Sequence, residues 1–277
     1  MKKKQKPLRK VIIYVLVILI SVYSFFPMYW MFISSCRAYK QLFSSVSLIP
    51  GPFSLKSYIN LLSMTKYLIN FKNSLWVAFF TTGITLICSI LMAYVITRYR
   101  LRGKRFILHS MLFSYMFPPL LLAVPLYYIF TKLGFIDSLW GLIISHTTIT
   151  LPLGVWLLWG FFKAMPFELE EAARVDGASR IKAFFLVVLP LSLPGILTAG
   201  IFSFLLSWTD YTFGLIILSS DIKKTLPIGL ATMLGAHDLN WGEIMAGAFL
   251  ITVPLLVIFV FVSQYFVKGL TAGAVKG

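Results

Sequence analysis

Residues 168–190 read ELEEAARVDGASRIKAFFLVVLP, a polar segment between two long apolar runs. It opens with acidic residues, and Gly177 follows the Glu171-Ala172-Ala173 triplet after three residues. Acidic side chains favour the first turns of a helix because they meet the positive end of its dipole, and glycine favours the left-handed turn that ends a helix. The pattern therefore predicts a short helix over 166–176, with Pro166 at its first position, that stops at Gly177.

The rest of the segment predicts a second helix that returns to the membrane. Pro190 is expected to end this helix and to lead into the next apolar run. The apolar face of the helix is expected to consist of Ile181, Phe184, Phe185 and Val188, which lie at helical spacing. Two helices joined at a glycine make a rigid projection. Because Ala172 and Ala173 are small, a partner surface can approach this projection closely. An amphipathic loop on the lipid surface is the alternative, and closely spaced acids disfavour it on an anionic membrane.

Composition places the rest of the chain in a membrane. Of the 277 residues, 59% are hydrophobic and only 12% are charged, which is more apolar surface than a soluble domain can bury. Apolar runs long enough to cross ~30 Å of hydrocarbon recur along the chain, and no alternating strand pattern accompanies them, so they are expected to be helices. The expected spans are 11–33, 73–97, 107–130, 139–162, 195–218 and 243–267.

The net charge of +16 is explained by membrane topology and not by a nucleic-acid partner. Residues 2–10 and 98–105 are rich in lysine and arginine and contain no acid. Short basic flanks of membrane spans stay in the cytoplasm, and two spans separate these flanks, so both agree on one orientation. The N- and C-termini and the segment 163–190 are then cytoplasmic.

The predicted fold class is an all-α membrane protein with six transmembrane helices. It divides into a basic cytoplasmic N-terminus at 1–10, a transmembrane domain at 11–267 with the cytoplasmic loop 163–190, and a cytoplasmic tail at 268–277. Pro118, Pro119 and Pro125 lie inside the third expected span. They mark either a kink beside a pathway or ordinary helix bending.

The spacing in the polar segment resembles a known signature. It consists of E-A-A, three residues, G, nine residues, an aliphatic residue (here Val187), one residue and Leu189-Pro190. This pattern is similar to that of the membrane subunits of binding-protein-dependent ABC importers. The stretch IFSFLLSWTDY at 201–211 and the ending GLTAGAVKG at 269–277 resemble the carbohydrate permeases of that family, which includes the smaller membrane subunit of the maltose transporter.

The resemblance implies a type I importer permease fold in the cell membrane. It also implies a second permease subunit in a heterodimer, two ATPase subunits that bind ATP and Mg, and an extracytoplasmic solute-binding protein. The residues implied to couple this chain to an ATPase are Glu170, Glu171, Ala172, Ala173, Asp176 and Gly177. A C-terminal contact between the ATPases is implied for Leu270, Thr271, Ala272, Gly273 and Lys276; a frayed terminus is the alternative.

This chain is not expected to be an enzyme or to bind a cofactor or metal. It has no G-x-x-x-x-G-K-[ST] sequence, so ATP hydrolysis is assigned to the partner subunits. Cys36 and Cys88 lie far apart, and no cluster of metal ligands surrounds His109, His146 or His237, for which structural roles are expected.

Asp210 lies inside the fifth expected span, and a carboxylate there indicates either a water-filled cavity or a bond to another helix. Aromatic faces and carboxylates are also the groups that bind sugars. The candidate pathway residues are Phe204, Trp208, Asp210 and Tyr211. Both interpretations of Asp210 remain open from the sequence.

Three other functions compete with carbohydrate import. The same importer architecture could carry a sugar phosphate or a polyol. A secondary transporter would need inverted repeats and several buried charges for ion coupling. An intramembrane enzyme would need paired catalytic groups inside the spans. The sequence shows neither of the last two patterns clearly, and a secondary transporter would leave the 163–190 loop without a role.

Overall fold

The computed structural model describes residues 7–37, 53–235 and 240–274. Within these ranges the chain forms helices, turns and short irregular connections, as expected from the sequence. The helices are α1 Pro7–Ser35, α2 Lys56–Met64, α3 Tyr67–Arg98, α4 Lys104–Met116, α5 Pro119–Leu133, α6 Leu139–Ala164, α7 Glu168–Val175, α8 Arg180–Leu191, α9 Leu193–Trp208, α10 Thr212–Ile217, α11 Leu226–Leu234 and α12 Trp241–Ala274.

Among the described residues, four helices are individually long and apolar enough to cross a membrane: α1, α3, α6 and α12. Two bent pairs meet the same criterion together: α4 with α5, at 99°, and α8 with α9, at 72°. Counting each pair as one span gives six, which agrees with the number predicted from the sequence.

The span predicted over 107–130 is sharply bent, because the chain breaks between α4 and α5. The backbone of Phe117 has φ −68° and ψ 131°, and that of Pro118 has φ −58° and ψ 127°. Each of these residues precedes a proline, and the proline ring excludes the helical conformation from the residue before it. Two such residues in succession turn the chain sharply, so the tandem prolines make a bend and not a mild kink.

The span predicted over 195–218 is also shorter than expected. Helix α9 ends at Trp208, and α10 begins only at Thr212. Asp210 lies in the break, where its carboxylate accepts hydrogen bonds from the backbone N–H groups of Phe213 (3.4 Å) and Gly214 (3.0 Å). These bonds satisfy free donors at the start of α10, as a capping residue does.

The described chain divides into two compact units. The larger unit comprises the described residues of Leu68–Gly229 and Pro254–Gly277. Within it, α3 packs on α6 through small and hydroxyl-bearing side chains: Thr85 Oγ1 and Thr150 Oγ1 are hydrogen-bonded at 2.6 Å, and Gly154 lies against Ser89. Small residues let membrane helices approach closely, so α3 and α6 come together at this seam. Buried apolar clusters that include residues of both helices add to the contact.

The smaller unit comprises the described residues of Met1–Tyr67 and Leu230–Val253. Helix α2 lies against α1 and α12 through polar contacts. Tyr58 OH and Ser35 Oγ are hydrogen-bonded at 2.7 Å, and the amide of Asn60 donates to Glu243 Oε1 at 3.3 Å. Glu243 therefore has a structural partner at the start of α12.

The connection before α6 is closed by Asp137. Its carboxylate accepts hydrogen bonds from the backbone N–H groups of Ser219 (3.0 Å) and Ser220 (2.9 Å) and from the Ser220 hydroxyl, and it pairs with Lys223 at 3.0 Å. The hydrogen bonds from Ser220, and then those from Lys223 and Ser219, hold the pKa of Asp137 below its ordinary value. Asp137 itself adopts a left-handed backbone with φ 52°, which aspartate tolerates better than most residues.

Candidate functional site

Helix α7 carries the first half of the signature segment, and it begins two residues later than predicted. Pro166 precedes the helix and does not occupy its first position. Glu168, Glu170 and Glu171 lie in its first turn and Arg174 in its last, which is the arrangement that the helix dipole favours.

Gly177 ends α7 in the predicted left-handed turn, with φ +91°. The N–H of Ala178 donates to the carbonyl of Ala173 at 3.0 Å, and the N–H of Gly177 donates to that of Arg174 at 3.1 Å. This pair of bonds is the Schellman arrangement, which satisfies carbonyls that a helix end otherwise leaves free. The glycine thus fixes the direction in which the chain leaves α7.

Glu170 is turned inward, which corrects the expectation that its charge faces a partner. Only 4% of its side chain is exposed, and 7% of the Arg98 side chain. Glu170 Oε2 lies 3.1 Å from Arg98 Nε, and Glu170 Oε1 accepts a hydrogen bond from Tyr94 OH at 2.6 Å. Because α7 packs on the end of α3, one of its faces is buried, and Glu170 falls on that face.

The other signature residues of α7 lie at the surface. Glu171, Ala172, Asp176 and Gly177 are exposed, and Ala173 is half-buried. Val175, beside them, is 87% exposed. The outward side of α7 therefore combines carboxylates, small side chains and one apolar residue, which is a composition suited to a close protein contact.

The predicted apolar face of the returning helix is half right. In α8, Phe184 and Val188 are buried as expected, but Ile181 and Phe185 are exposed, with Ala183 buried in their place. The segment Phe184–Val188 is a π-helix, so each turn there contains more residues than the 3.6-residue period assumes.

Pro190 does not end α8 as predicted; the helix continues to Leu191 and bends at Ser192. Proline lacks the N–H group that the preceding turn would accept. The wider π turn before it, in which the N–H of Leu189 donates to the carbonyl of Phe184, accompanies this missing bond. The start of α8 is fixed by Ser179, whose Oγ accepts from the N–H of Lys182 at 3.2 Å.

A second polar cluster lies between α6, α9 and α10. His146 is buried; its Nδ1 is hydrogen-bonded to Ser207 Oγ at 2.8 Å, and its Nε2 lies 3.1 Å from Asp210 Oδ2. Of the two interpretations of Asp210, the bond to another helix is present. His146 and Asp210 also line an open cleft with a volume of about 70 Å³, with Ile149, Leu206 and Phe213 among its apolar walls.

The structure does not bring all the candidate pathway residues together. Trp208 is fully buried, and its ring stacks on Phe204 with centroids 5.5 Å apart. Tyr211, in contrast, is 44% exposed. Trp208 therefore supports the packing of α9 and has no free face for a sugar.

The C-terminal residues named from the sequence are described only in part. Helix α12 includes the backbone of Leu270, Thr271, Ala272 and Gly273, whereas Lys276 lies outside the described residues. Their contact with a partner stays a prediction. His237 lies outside the described residues as well.

Sequence reasoning missed the role of Tyr94 and Arg98. Arg98 was interpreted only as part of a basic flank, and Tyr94 was not singled out. The available signal was their four-residue separation at the end of a span, which places both on one helix face. That spacing alone does not identify the carboxylate they bind.

Comparison with known proteins shows the family to which the sequence is similar. Residues 85–272 match the family described as binding-protein-dependent transport system inner membrane component. The chain is 33% identical to the inner membrane ABC transporter permease protein YcjP of Escherichia coli, with 100% of each chain covered. It is 32% identical to the trehalose/maltose transport system permease protein MalG of Thermococcus litoralis, with 99% of each covered.

A solved structure shares the fold. It is a chain of a bacterial ABC transporter involved in the import of the acidic polysaccharide alginate. The TM-score is 0.82, with 19% identity, and the match covers 96% of this chain and 99% of the other.

Proposed function

Because this chain belongs to the family of inner membrane components of binding-protein-dependent transport systems, we propose that it is a permease subunit that imports carbohydrate. The observation that carries the coupling role is α7: an acidic helix, ended by Gly177, whose outward side is exposed and whose inward side is anchored on α3. The similarity to the permease protein of a trehalose/maltose transport system supports a sugar as the substrate.

The orientation follows from the basic flanks. Segments 2–10 and 98–105 face the cytoplasm, and the loop around α7 is on the same side because an even number of spans separates them. An impermeant thiol reagent added outside should label a cysteine placed at Ser47, which lies outside the described residues, but not one placed at Ser179. The reverse pattern would overturn this orientation.

The exposed side of α7 docks into a cleft of a partner ATPase. Glu171 and Asp176 meet basic or hydrogen-bonding groups there, and Ala172 allows close approach. ATP binding and hydrolysis occur on that partner, since this chain has no phosphate-binding loop sequence. ATP binding favours one conformation of the complex over the other, which is the differential binding energy that alternating access requires.

The proposed transporter contains further subunits besides this chain and the ATPase that α7 contacts. A second permease completes the pathway, two ATPases act below the membrane, and a solute-binding protein delivers the sugar from outside. The family description itself specifies dependence on a binding protein. The sugar phosphates and polyols remain the alternative substrates that the same architecture accommodates.

Reconstitution in proteoliposomes tests this function. The chain alone should neither bind ATP nor move sugar. The complex with its second permease, ATPase pair and binding protein should take up a mono- or oligosaccharide only when ATP is supplied. Uptake of a sugar phosphate or polyol in preference to the unmodified sugar would correct the substrate. Sugar uptake driven by an ion gradient, with this chain as the sole protein, would overturn the proposal.

A further inference from the structure

We infer that Glu170 is a positioning residue that joins the coupling helix α7 to the transmembrane helix α3, so that motion of α7 is transmitted directly to α3. This inference rests on the proposed function. It assigns the residue before the Glu-Ala-Ala triplet a role different from docking.

The two oxygens of Glu170 are held by two different side chains of one helix. Tyr94 OH donates to Oε1 at 2.6 Å, and the Arg98 guanidinium lies 3.1 Å from Oε2. Tyr94 and Arg98 are four residues apart and therefore lie one above the other on one face of α3. A carboxylate with both oxygens engaged cannot rotate away from α3 without losing both partners.

Arg98 also contacts the chain just before α7. Its Nη1 donates to the carbonyl of Met165 at 3.5 Å, and its guanidinium lies 5.4 Å from the centre of the Phe167 ring. Arg180, at the start of α8, lies over the ring of Tyr99 at 5.0 Å. The end of α3 and the residue after it therefore contact three segments: the loop before α7, α7 itself and the start of α8.

The joint is enclosed by aromatic side chains. The ring of Tyr94 lies 4.6 Å from that of Phe184 and 6.5 Å from that of Phe162, measured between ring centres. Water is largely excluded here, so the ion pair is stronger than at the surface, and separating it would leave an uncompensated buried charge. Under load from a partner, α7 and the end of α3 are thus expected to move as one body.

The two sides of α7 have different roles: one contacts α3 and the other is available to a partner. Glu170 faces α3, whereas Glu171, the next residue, is exposed and available to a partner. Loss of the outward carboxylate should weaken docking. Loss of the inward carboxylate should leave docking intact and disconnect it from the spans.

The complete complex in proteoliposomes provides the test, with ATP hydrolysis and sugar uptake measured on the same vesicles. Glu170→Gln removes the charge and keeps the size of the side chain, and Tyr94→Phe removes only the hydroxyl. Glu170→Gln should lower the sugar moved per ATP hydrolysed by roughly tenfold, with ATP hydrolysis largely retained, and Tyr94→Phe should have a smaller effect in the same direction. Glu168→Gln, an exposed acid of the same turn, is the matched control and should behave as the parent.

The double variant Arg98→Glu with Glu170→Arg restores a pair of opposite charges and should recover part of the transport ratio. Two results would contradict the role of Glu170 in joining α7 to α3. One is an unchanged ratio of sugar moved to ATP hydrolysed in Glu170→Gln. The other is a parallel fall of hydrolysis and uptake in Glu170→Gln that the double variant does not reverse. If Glu170→Gln does not assemble, the ratio in Tyr94→Phe decides. A parent complex that moves no sugar with ATP would instead contradict the proposed function, so the two failures are distinguishable.

Discussion

Two carboxylates, one on each side of α6 in the chain, are bound through different chemistry. Six residues past the end of α6, within the next helix, Glu170 contacts the side chains of Tyr94 and Arg98, and it is 4% exposed. Just before the first residue of α6, Asp137 accepts backbone N–H groups of the 218–223 segment and is 25% exposed. The first arrangement depends on buried side chains of a neighbouring helix, and the second depends on both backbone and side-chain groups of a loop.

This difference indicates different tasks. A buried side-chain pair between two helices transmits force, because neither helix can move without breaking it. A loop closed by hydrogen bonds to a partly exposed carboxylate fixes local geometry and leaves the helices beyond it independent. We therefore expect changes at the Glu170 site to affect coupling and changes at the Asp137 site to affect only local order.

Removing the cation that pairs with Glu170 and, separately, the cation that pairs with Asp137 should show the largest difference between the two sites. Arg98→Ala leaves Glu170 buried without its counter-ion and should lower the free energy of unfolding by about 3 kcal/mol. Lys223→Ala removes a cation that is 40% exposed and should cost less than about 1 kcal/mol. Thermal unfolding of the purified variants in detergent measures both. Equal losses would mean that burial does not distinguish the two sites.

Matched substitutions can introduce backbone strain near either carboxylate, after α7 or after α5. Gly177, after α7, and Gly134, after α5, have φ +91° and +73°, and an added Cβ at either meets no atom within 4 Å. Valine at each should therefore cost a similar strain of about 1 kcal/mol or more. Only Gly177→Val should uncouple ATP hydrolysis from uptake, because it redirects α7. Comparable uncoupling in Gly134→Val would contradict the division of tasks.

Charge reversal on the exposed side of α7 should affect docking alone. Glu171→Lys should weaken ATPase binding by roughly fivefold at low salt, less at high salt, with no change in the thermal stability of the permease. Asp221→Lys, at an exposed acid beside the Asp137 segment, serves as the control. Binding of the purified ATPase to each variant is the measurement. Equal weakening by both variants would contradict the role of Glu171 in docking.

The smallest expected effect is on pH dependence at Asp137. Its pKa is lower in the folded chain, so its stabilising contribution is complete above the ordinary value of about 3.9 and is lost as the pH falls through the folded value. Asp137→Asn should speed amide exchange at Ser219 and Ser220 near neutral pH, and the difference from the parent should shrink in acid. A difference that grows on acidification would contradict this sign.

The sequence predicted the parts of the fold that depend on composition and on single residues. Apolar length gave six spans, and Gly177 gave the left-handed turn after α7. The tandem prolines indicated a distortion but not its size, because the bend depends on two successive residues that each precede a proline. The π-helix was not predictable from the 3.6-residue period, so Ile181 and Phe185 were placed on the wrong side.

Long-range polar pairs escaped sequence analysis. Glu170 lies far from Tyr94 and Arg98 along the chain, and His146 lies far from Asp210, so neither pairing leaves a local pattern. The acidic cluster of α7 looked uniform in sequence. Only the packing of α7 on α3 separates the inward Glu170 from the outward Glu171.

The central claim is that α7, the start of α8 and the end of α3 move as one body. It is tested most directly by the distance between spin labels at Arg100 and Lys182, two exposed positions on either side of the joint. In the complete complex, pulsed electron paramagnetic resonance should give the same narrow distance distribution without nucleotide and with a non-hydrolysable ATP analogue, and a broadened one in Glu170→Gln. A shift of that distance on nucleotide binding in the otherwise unmodified complex would contradict the account.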